Sequence, residues 1–387
     1  MIVRPGNRIR LLESGAEYFP ELERAIDSAE REIYLETYIY EADETGYRIA
    51  DALIRAARRG VDVHVLIDGF GSREFPDDLR SKMDMAGVQL LVYRPGQFLW
   101  RLQRHRLRRM HRKLAVIDAR VGFCGGINII DDRNTPGHTP PRFDYAVRVE
   151  GPLIADMHRA ARQLWMRTAW LQLKAARRRL RSRPRPDLRK VGAQSAAFLV
   201  RDNFRHRHDI EEAYLDAIAN ARSEVVIACA YFLPGMRFRR ALCEAVARGV
   251  RIVLLLQGKV EYVMLHYASR ALYRQLLDAG VEIHEYMRSF LHAKVAVADE
   301  AWATVGSSNL DPISFLLARE ANVVVLDEGF AGELRASLAH AIETGARPVR
   351  RAVWKPPLHE RALTWLAYGA VRLAMGVFGY ATREDAP

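Results

Sequence analysis

One pattern of residues occurs twice in this 387-residue chain, with every internal spacing kept. It reads His-x-Lys-(x4)-Asp-(x6)-Gly-(Gly/Ser)-x-Asn. The members of the two copies are His111, Lys113, Asp118, Gly125, Gly126 and Asn128, and then His292, Lys294, Asp299, Gly306, Ser307 and Asn309. A repeat of this kind predicts a fold of two equivalent halves, each of which contributes half of a shared site.

The repeat extends beyond the two motifs. Residues 31–40 match 223–232 as short strands rich in β-forming residues, and 61–67 match 250–256 as apolar strands typical of a parallel sheet. A helical stretch that ends at a glycine precedes each apolar strand. We therefore expect an α/β fold with two pseudo-symmetric domains, each a mixed, mainly parallel sheet flanked by helices on both faces, and the active site at their interface.

The predicted boundaries are 1–190 for the first domain, which ends in a basic linker, 191–349 for the second, and 350–387 for an apolar tail. The linker, 174–190, contains two prolines and is strongly basic. It is interpreted either as a solvated segment or as a surface that docks onto anionic headgroups.

Charge indicates the kind of partner. The formal net charge is +12 and the pI is about 9.8, which predicts a polyanion, either nucleic acid or an anionic membrane surface. Only seven of the 59 basic residues are lysines, yet both motifs keep lysine. Cys124, Cys229 and Cys243 are too few for a disulfide framework and lie in no metal-ligand cluster, so we expect a reducing compartment and neither metal nor cofactor.

The repeated side chains suit chemistry on a phosphodiester. A neutral imidazole can attack phosphorus, and a second, protonated imidazole can donate its proton to the departing oxygen. Free imidazole titrates near pH 6.5, so one neutral and one charged ring can coexist near neutrality. The lysines, the two asparagines and the Ser307 hydroxyl are predicted to bind the phosphoryl oxygens, where negative charge develops.

Two further carboxylates are candidates for orienting the imidazoles. Asp144 follows His111 in the first half, and Glu320 follows His292 in the second, each at the start of an apolar strand. Asp118 and Asp299 are counted with the catalytic residues, although a structural role, holding backbone or lysine, is the alternative.

The two motifs resemble those of the phospholipase D superfamily, over roughly residues 8–345. Within it, residues 33–40, 111–118, 125–128, 144–152 and 306–312 are similar to bacterial cardiolipin synthases of the short kind without N-terminal membrane helices. The resemblance implies a phosphatidyl-enzyme intermediate on His111, with His292 as acid and then base, and Asp144 and Glu320 as the acids that orient the histidines.

The resemblance also implies the partners. They are the membrane surface and its anionic lipids, namely phosphatidylglycerol, with phosphatidylethanolamine as a possible acceptor. The protein is expected to be peripheral, on the cytoplasmic side of the bacterial inner membrane. The alternatives are a phospholipase D that hydrolyses lipids and a metal-independent nuclease, although nucleic acid is the less expected partner. The oligomeric state stays open.

The apolar stretch 362–381 has the length of a membrane span, but Arg372 lies near its middle. An interfacial helix is favoured, with packing onto the catalytic domains and a true span as alternatives.

Overall fold

The computed structural model describes residues 1–95, 108–172, 184–202, 206–260, 263–311, 318–351 and 358–377. Most of the predicted basic linker, the segment 174–183, lies outside these residues, as does the end of the tail from 378 onward.

Among the described residues, the first half begins with alternating strands and helices, continues with further strands and ends in a long helix. Its elements are β1 (Arg4–Glu13), α1 (Ser14–Asp27), β2 (Glu32–Thr37), α2 (Glu44–Arg58), β3 (Asp62–Asp68), α3 (Asp77–Met85), β4 (Gln89–Tyr93), β5 (Arg109–Met110), β6 (Leu114–Ile117), β7 (Val121–Gly125), β8 (Arg142–Phe143), β9 (Tyr145–Glu150) and α4 (Ile154–Leu171).

The second half largely repeats this order, with two helices in place of α3, one strand in place of β8 and β9, and a further strand and helix at its end. Its elements are β10 (Gln194–Arg201), α5 (Asp209–Asn220), β11 (Glu224–Cys229), α6 (Met236–Ala247), β12 (Arg251–Gln257), α7 (Val263–Arg270), α8 (Tyr273–Ala279), β13 (Glu282–Tyr286), β14 (Phe290–Leu291), β15 (Lys294–Ala298), β16 (Trp302–Gly306), β17 (Ala318–Leu326), α9 (Glu328–Gly345), β18 (Ala346–Pro348) and α10 (Leu358–Val377).

Local sequence explains the matching helix ends. Gly60 and Gly249 follow α2 and α6, and both adopt φ +92°, a left-handed conformation that glycine reaches without a steric penalty. The predicted helices that end at these glycines are therefore confirmed.

The strands of both halves form one continuous 16-stranded sheet. Its order is β18-β13-β12-β11-β15-β16-β17-β10-β1-β9-β7-β6-β2-β3-β4, with β5 beside β17. The halves join where β1 pairs antiparallel with β10. The predicted mixed α/β class is confirmed, with more antiparallel pairing than the sequence indicated. Parallel pairs occur in β2–β3–β4 and β11–β12–β13, whereas the short turns after β6 and β15 impose antiparallel neighbours.

Helices cover both faces of the sheet, as expected. One apolar core lies under α1, α2 and α3 of the first half, and another lies under α5, α6, α7 and α8 of the second. A third core contains residues of both halves, including Leu164 of α4 and Leu334 of α9. Because this core and the sheet cross position 190, the domain division at 190 and 349 stays a prediction.

The tail helix α10 packs on the second half. Ala367 and Val371 are buried in the core of that half, and the Tyr368 hydroxyl lies 3.4 Å from Nη2 of Arg239. Among the described residues, none of the helices is long and apolar enough to cross a membrane.

The turn after each motif strand is fastened by the motif aspartate. The Asp118 carboxylate accepts hydrogen bonds from the backbone amides of residues 30, 31 and 32, at 2.8–3.0 Å. Asp299 binds the amides of residues 222, 223 and 224 in the same way. Both aspartates adopt left-handed φ values, +53° and +50°, which aspartate tolerates better than most residues. These contacts tie the motif hairpin to the start of the neighbouring strand.

We therefore expect Asp118→Ala to lower the free energy of unfolding by about 3 kcal/mol, since three amides lose a charged acceptor and the turn loses a residue suited to it. Urea or thermal unfolding measures the change. Asp84→Ala, which removes an exposed carboxylate on α3, is the control. A stability equal to that of the control would contradict the fastening role.

Candidate active site

The first motif histidine is positioned by a strand from each half. Strand β5, which directly precedes His111, pairs in parallel with the start of β17. The His111 amide donates to the Arg319 carbonyl at 2.9 Å, which places the ring beside the next residue, Glu320. Nδ1 of His111 lies 3.0 and 3.1 Å from the two carboxylate oxygens of Glu320.

The second histidine is held in the mirrored way. Strand β14 pairs in parallel with β8, and the His292 amide donates to the Phe143 carbonyl at 2.8 Å. Nδ1 of His292 lies 2.6 Å from Oδ2 of Asp144. Within the described residues, no hydrogen bond engages Nε2 of either ring.

The carboxylates are therefore exchanged between the halves. The sequence suggested that Asp144 serves His111 and that Glu320 serves His292, each within its own half. The structure places Glu320 at His111 and Asp144 at His292, because the two-residue strands before the histidines pair across the molecule. Each half-site is complete only when the other half is folded against it.

The two lysines lie on the same side as the imidazoles. Nζ of Lys113 donates to the His111 carbonyl at 2.7 Å, and Nζ of Lys294 donates to the His292 carbonyl. Nζ of Lys294 is also 3.8 Å from Oδ2 of Asp144. Burial is the main cause that lowers the pKa of Lys113, to about 7, and the charge of Lys294 lowers it further. Both ammonium groups therefore lie beside the backbone of the motif histidines.

Burial also changes the histidines. It lowers the pKa of His111, with further lowering by the two lysines and partial compensation by Glu320. It lowers the pKa of His292 more strongly, and Lys294 and Arg142 add to that effect. In the substrate-free site both rings are therefore neutral near pH 7. The prediction of one neutral and one charged ring does not describe this state; an anionic phosphodiester between the rings would favour protonation.

The two carboxylates also differ. Burial raises the pKa of Asp144 to about 6. Burial acts in the same direction on Glu320, but His111, Lys113 and the Ser307 hydroxyl outweigh it and lower the pKa of Glu320. Glu320 therefore stays ionised over a wider pH range than Asp144.

Ser307 and Gly126, which occupy the same motif position, explain part of this difference. The Ser307 hydroxyl donates to Oε2 of Glu320. It was predicted to bind phosphate, but the structure directs it to the carboxylate. A Cβ at Gly126 would lie 2.2 Å from Oδ1 of Asp144, so only glycine leaves room for that carboxylate.

The motif asparagines are buried, and their surroundings differ. Oδ1 of Asn128 accepts from the Ile39 amide at 3.0 Å, which fixes the side chain and directs its NH2 group away from that amide. Oδ1 of Asn309 has no hydrogen-bond partner in the part of the chain that the structure describes. Their assignment as phosphoryl ligands stays a prediction.

Asp118 and Asp299 are not in the site. The strand between Lys113 and Asp118 separates their Cα atoms by about 16 Å, at roughly 3.3 Å per residue. Both aspartates make the backbone contacts described above, which is the structural role that the sequence left open as the alternative to a catalytic one.

Sequence reasoning missed Tyr38 as a residue of the site. Its ring centroid lies 4.8 Å from that of His111, and Nζ of Lys113 lies 5.4 Å from the Tyr38 ring. The side chain belongs to a segment identified only as a strand, and nothing in its spacing distinguishes it from a core aromatic residue. Among the described residues, no group of three or more His, Cys, Asp or Glu could hold a metal ion.

Comparison with known proteins identifies the family. A family model described as "Cardiolipin synthase, PLD-like domain" matches residues 22–165 and 214–342. The chain belongs to this family.

Individual relatives agree with this assignment. The chain is 42% identical over 346 residues to cardiolipin synthase B of Escherichia coli K12, covering 89% of this chain and 83% of that protein. It is 29% identical over 328 residues to a probable cardiolipin synthase of Bacillus subtilis, covering 84% of this chain and 64% of that protein.

A solved structure shares the fold. The crystal structure of phosphatidylserine synthase from Haemophilus influenzae aligns with a TM-score of 0.72 over 97% of this chain and 95% of that one. At 14% sequence identity, this likeness concerns the fold alone.

The pKa of Lys113 predicts the alkaline limb of a pH profile. Because Lys113 is charged below about pH 7 and neutral above it, kcat/KM should fall as pH rises through that value. A bound phosphodiester raises the pKa of this ammonium, so the limb in kcat should lie at higher pH. Pre-steady-state and steady-state profiles measure both limbs. The assignment of this limb to Lys113 would be contradicted if kcat and kcat/KM fell at the same pH and if the residual activity of Lys113→Arg kept that limb.

Proposed function

We propose that the protein is a phosphatidyltransferase that makes cardiolipin, by transferring a phosphatidyl group from one phosphatidylglycerol to the alcohol of another phospholipid with release of glycerol. The observation that carries the proposal is the pair of imidazoles, each held at Nδ1 by the opposite half's carboxylate. Membership in the cardiolipin synthase family supports the choice of substrate.

In the first step His111 is the nucleophile. With its Nδ1–H donated to Glu320, the ring carries its lone pair on Nε2. Nε2 forms a bond to phosphorus while the phosphorus–oxygen bond to glycerol breaks. Glu320, which stays ionised, stabilises the positive charge of the resulting phosphohistidine. The greater exposure of the His111 side chain, 16% against 9% for His292, supports this choice of ring.

His292 handles the proton in both steps. Once the substrate anion has favoured its protonated form, it gives its proton to the departing glycerol oxygen, and Asp144 stabilises the charged ring beforehand. In the second step it takes a proton from the acceptor alcohol, whose oxygen bonds to phosphorus as the phosphorus–nitrogen bond breaks. Lys113 and Lys294 neutralise the phosphoryl oxygens throughout.

One assay separates the candidate reactions. The purified chain is incubated with phosphatidylglycerol vesicles in EDTA, and the products are analysed by mass. Cardiolipin with glycerol is expected; phosphatidic acid alone would support the hydrolase, and cleavage of added DNA without lipid turnover would support the nuclease.

Variants test the assigned roles in the same assay. His111→Ala should remove the phosphohistidine, and His292→Ala should slow turnover by about 10²–10⁴-fold. Exposed His340 provides the control, as His340→Ala should leave the rate unchanged. Peptide mass analysis of the trapped adduct identifies the nucleophile, and an adduct on His292 would reverse the roles.

We also propose that the enzyme is peripheral, on the cytoplasmic side of the membrane, and that α7 and α10 dock onto it. These packed helices and the loop before them expose large apolar side chains, each 45–71% accessible: Val260, Val263, Met264, Trp365, Leu366 and Leu373. Lys259, in the same loop, reaches across to Thr139 of the first half at 2.6 Å. The apolar surface therefore adjoins a contact between the two halves, and the net charge of +12 suits an anionic bilayer.

Combining Trp365→Ser with Leu366→Ser should weaken binding to phosphatidylglycerol vesicles by about tenfold or more, because two apolar side chains no longer enter the bilayer. Vesicle sedimentation measures binding, and turnover of a water-soluble short-chain substrate should be unchanged. Met85→Ser is the matched control, since Met85 is 81% exposed at the end of α3, before β4. Equal binding by the double variant and the control would exclude this docking surface.

A further inference from the structure

The two halves differ where the strand before each motif ends. In the first half, the residue after β2 is Tyr38, whose ring covers His111 and Lys113. In the second half, Cys229 at the end of β11 pairs with Lys294. In the first half, the register of β2 with β6 places Thr37 opposite Lys113 in the same way. Ala230, the residue after β11, is therefore the equivalent of Tyr38. The second half therefore lacks the aromatic ring that fills this position in the first.

Ala230 instead borders a small cavity of about 20 Å³. The residues that also line it include Tyr231, Phe232, Gln257, Lys259, His266 and Tyr273. A volume of this size accommodates about one water molecule or one hydroxyl group. The Ala230 amide donates to the carbonyl of Ala293 at 3.0 Å, between His292 and Lys294, so the cavity lies beside the second motif.

Gln257 is the unusual member of this lining. It is 7% exposed, and neither its amide oxygen nor its amide nitrogen has a hydrogen-bond partner in the described part of the chain. A buried amide without partners is costly and rare in folded proteins. Its oxygen accepts and its nitrogen donates, so a single hydroxyl group entering the cavity can satisfy both.

The equivalent residue in the first half shows that the fold does not require an unpaired polar group at this position. Asp68 ends β3 as Gln257 ends β12. The Asp68 carboxylate accepts from the amides of Phe70, Gly71 and Met110 at 2.8, 3.2 and 2.8 Å. In one half this position is used to fasten loops, and in the other it presents an unpaired amide to a cavity.

The charges around the cavity favour a neutral ligand over a cationic one. Nζ of Lys259, which donates to Thr139, supplies a positive charge that disfavours an ammonium group nearby. Burial and the neighbouring Arg270 lower the pKa of His266 to about 4, so this ring is neutral at physiological pH. Among the described residues that line the cavity, none carries a carboxylate that would attract a cation.

We propose that this cavity is a subsite for a hydroxyl group of a glycerol headgroup, and that Gln257 binds that hydroxyl. The inference rests on the proposed function, because His292 on this side is the residue that exchanges a proton with the alcohol. It assigns the alcohol to the second half of the site and selects uncharged polyols over headgroups that carry an ammonium.

The test measures recognition of the alcohol separately from the reaction of the phosphatidyl donor. A phosphatidyl-p-nitrophenol donor has a leaving group without a polyol, so nitrophenol release reports formation of the adduct. With glycerol and ethanol competing as acceptors, the ratio of phosphatidylglycerol to phosphatidylethanol reports recognition of the polyol. Gln257→Leu should lower this ratio about tenfold, because the hydroxyl of glycerol loses its amide partner. Gln163→Leu, at an exposed position of α4, is the control.

The outcomes are distinguishable. Absence of nitrophenol release from the wild type would overturn the proposed function itself. Release with an unchanged glycerol-to-ethanol ratio in Gln257→Leu would overturn the subsite alone. Thermal unfolding adds a second measurement: because the variant removes an unpaired buried amide, its stability should equal or exceed that of the wild type. A clear loss of stability with an unchanged ratio would mean that Gln257 holds a structural water.

Discussion

The exchange of carboxylates between the halves is the contact on which the site depends. Glu320 holds Nδ1 of His111, and Asp144 holds Nδ1 of His292. Both contacts follow from two very short parallel pairings, β5 with β17 and β14 with β8, which bring the residue before each acid against the histidine amide. A half of this protein on its own would present an imidazole without its orienting acid, so duplication here serves catalysis as well as folding.

Burial gives this arrangement its chemistry. Removing water lowers the pKa of both imidazoles and of Lys113, and raises that of Asp144. The substrate-free site therefore keeps its rings neutral, and the phosphodiester itself supplies the negative charge that favours the protonated acid. The two halves are not equal, however. Ser307 donates to Glu320, whereas Gly126 only leaves space for Asp144, so the same fold supports different roles for the two rings.

Much of the fold could be predicted because periodicity and repetition are local or directly visible. The apolar strands at 61–67 and 250–256 and the helices that end at Gly60 and Gly249 are present where the sequence indicated. The continuous sheet could not be predicted, since the pairing of β1 with β10 joins segments far apart in the chain. Spacing alone could not decide between a catalytic and a structural role for Asp118 and Asp299, because a motif states spacing and not the direction in which a side chain points.

The sequence by itself determined that two equivalent halves would each contribute a histidine and a lysine, because those residues recur at fixed spacings on strands of the same kind. Only the tertiary structure decided which carboxylate serves which imidazole, which aspartates stay outside the site, and where an unpaired amide faces a cavity. These properties depend on pairing between distant segments and on the exclusion of water, and neither is encoded in local spacing.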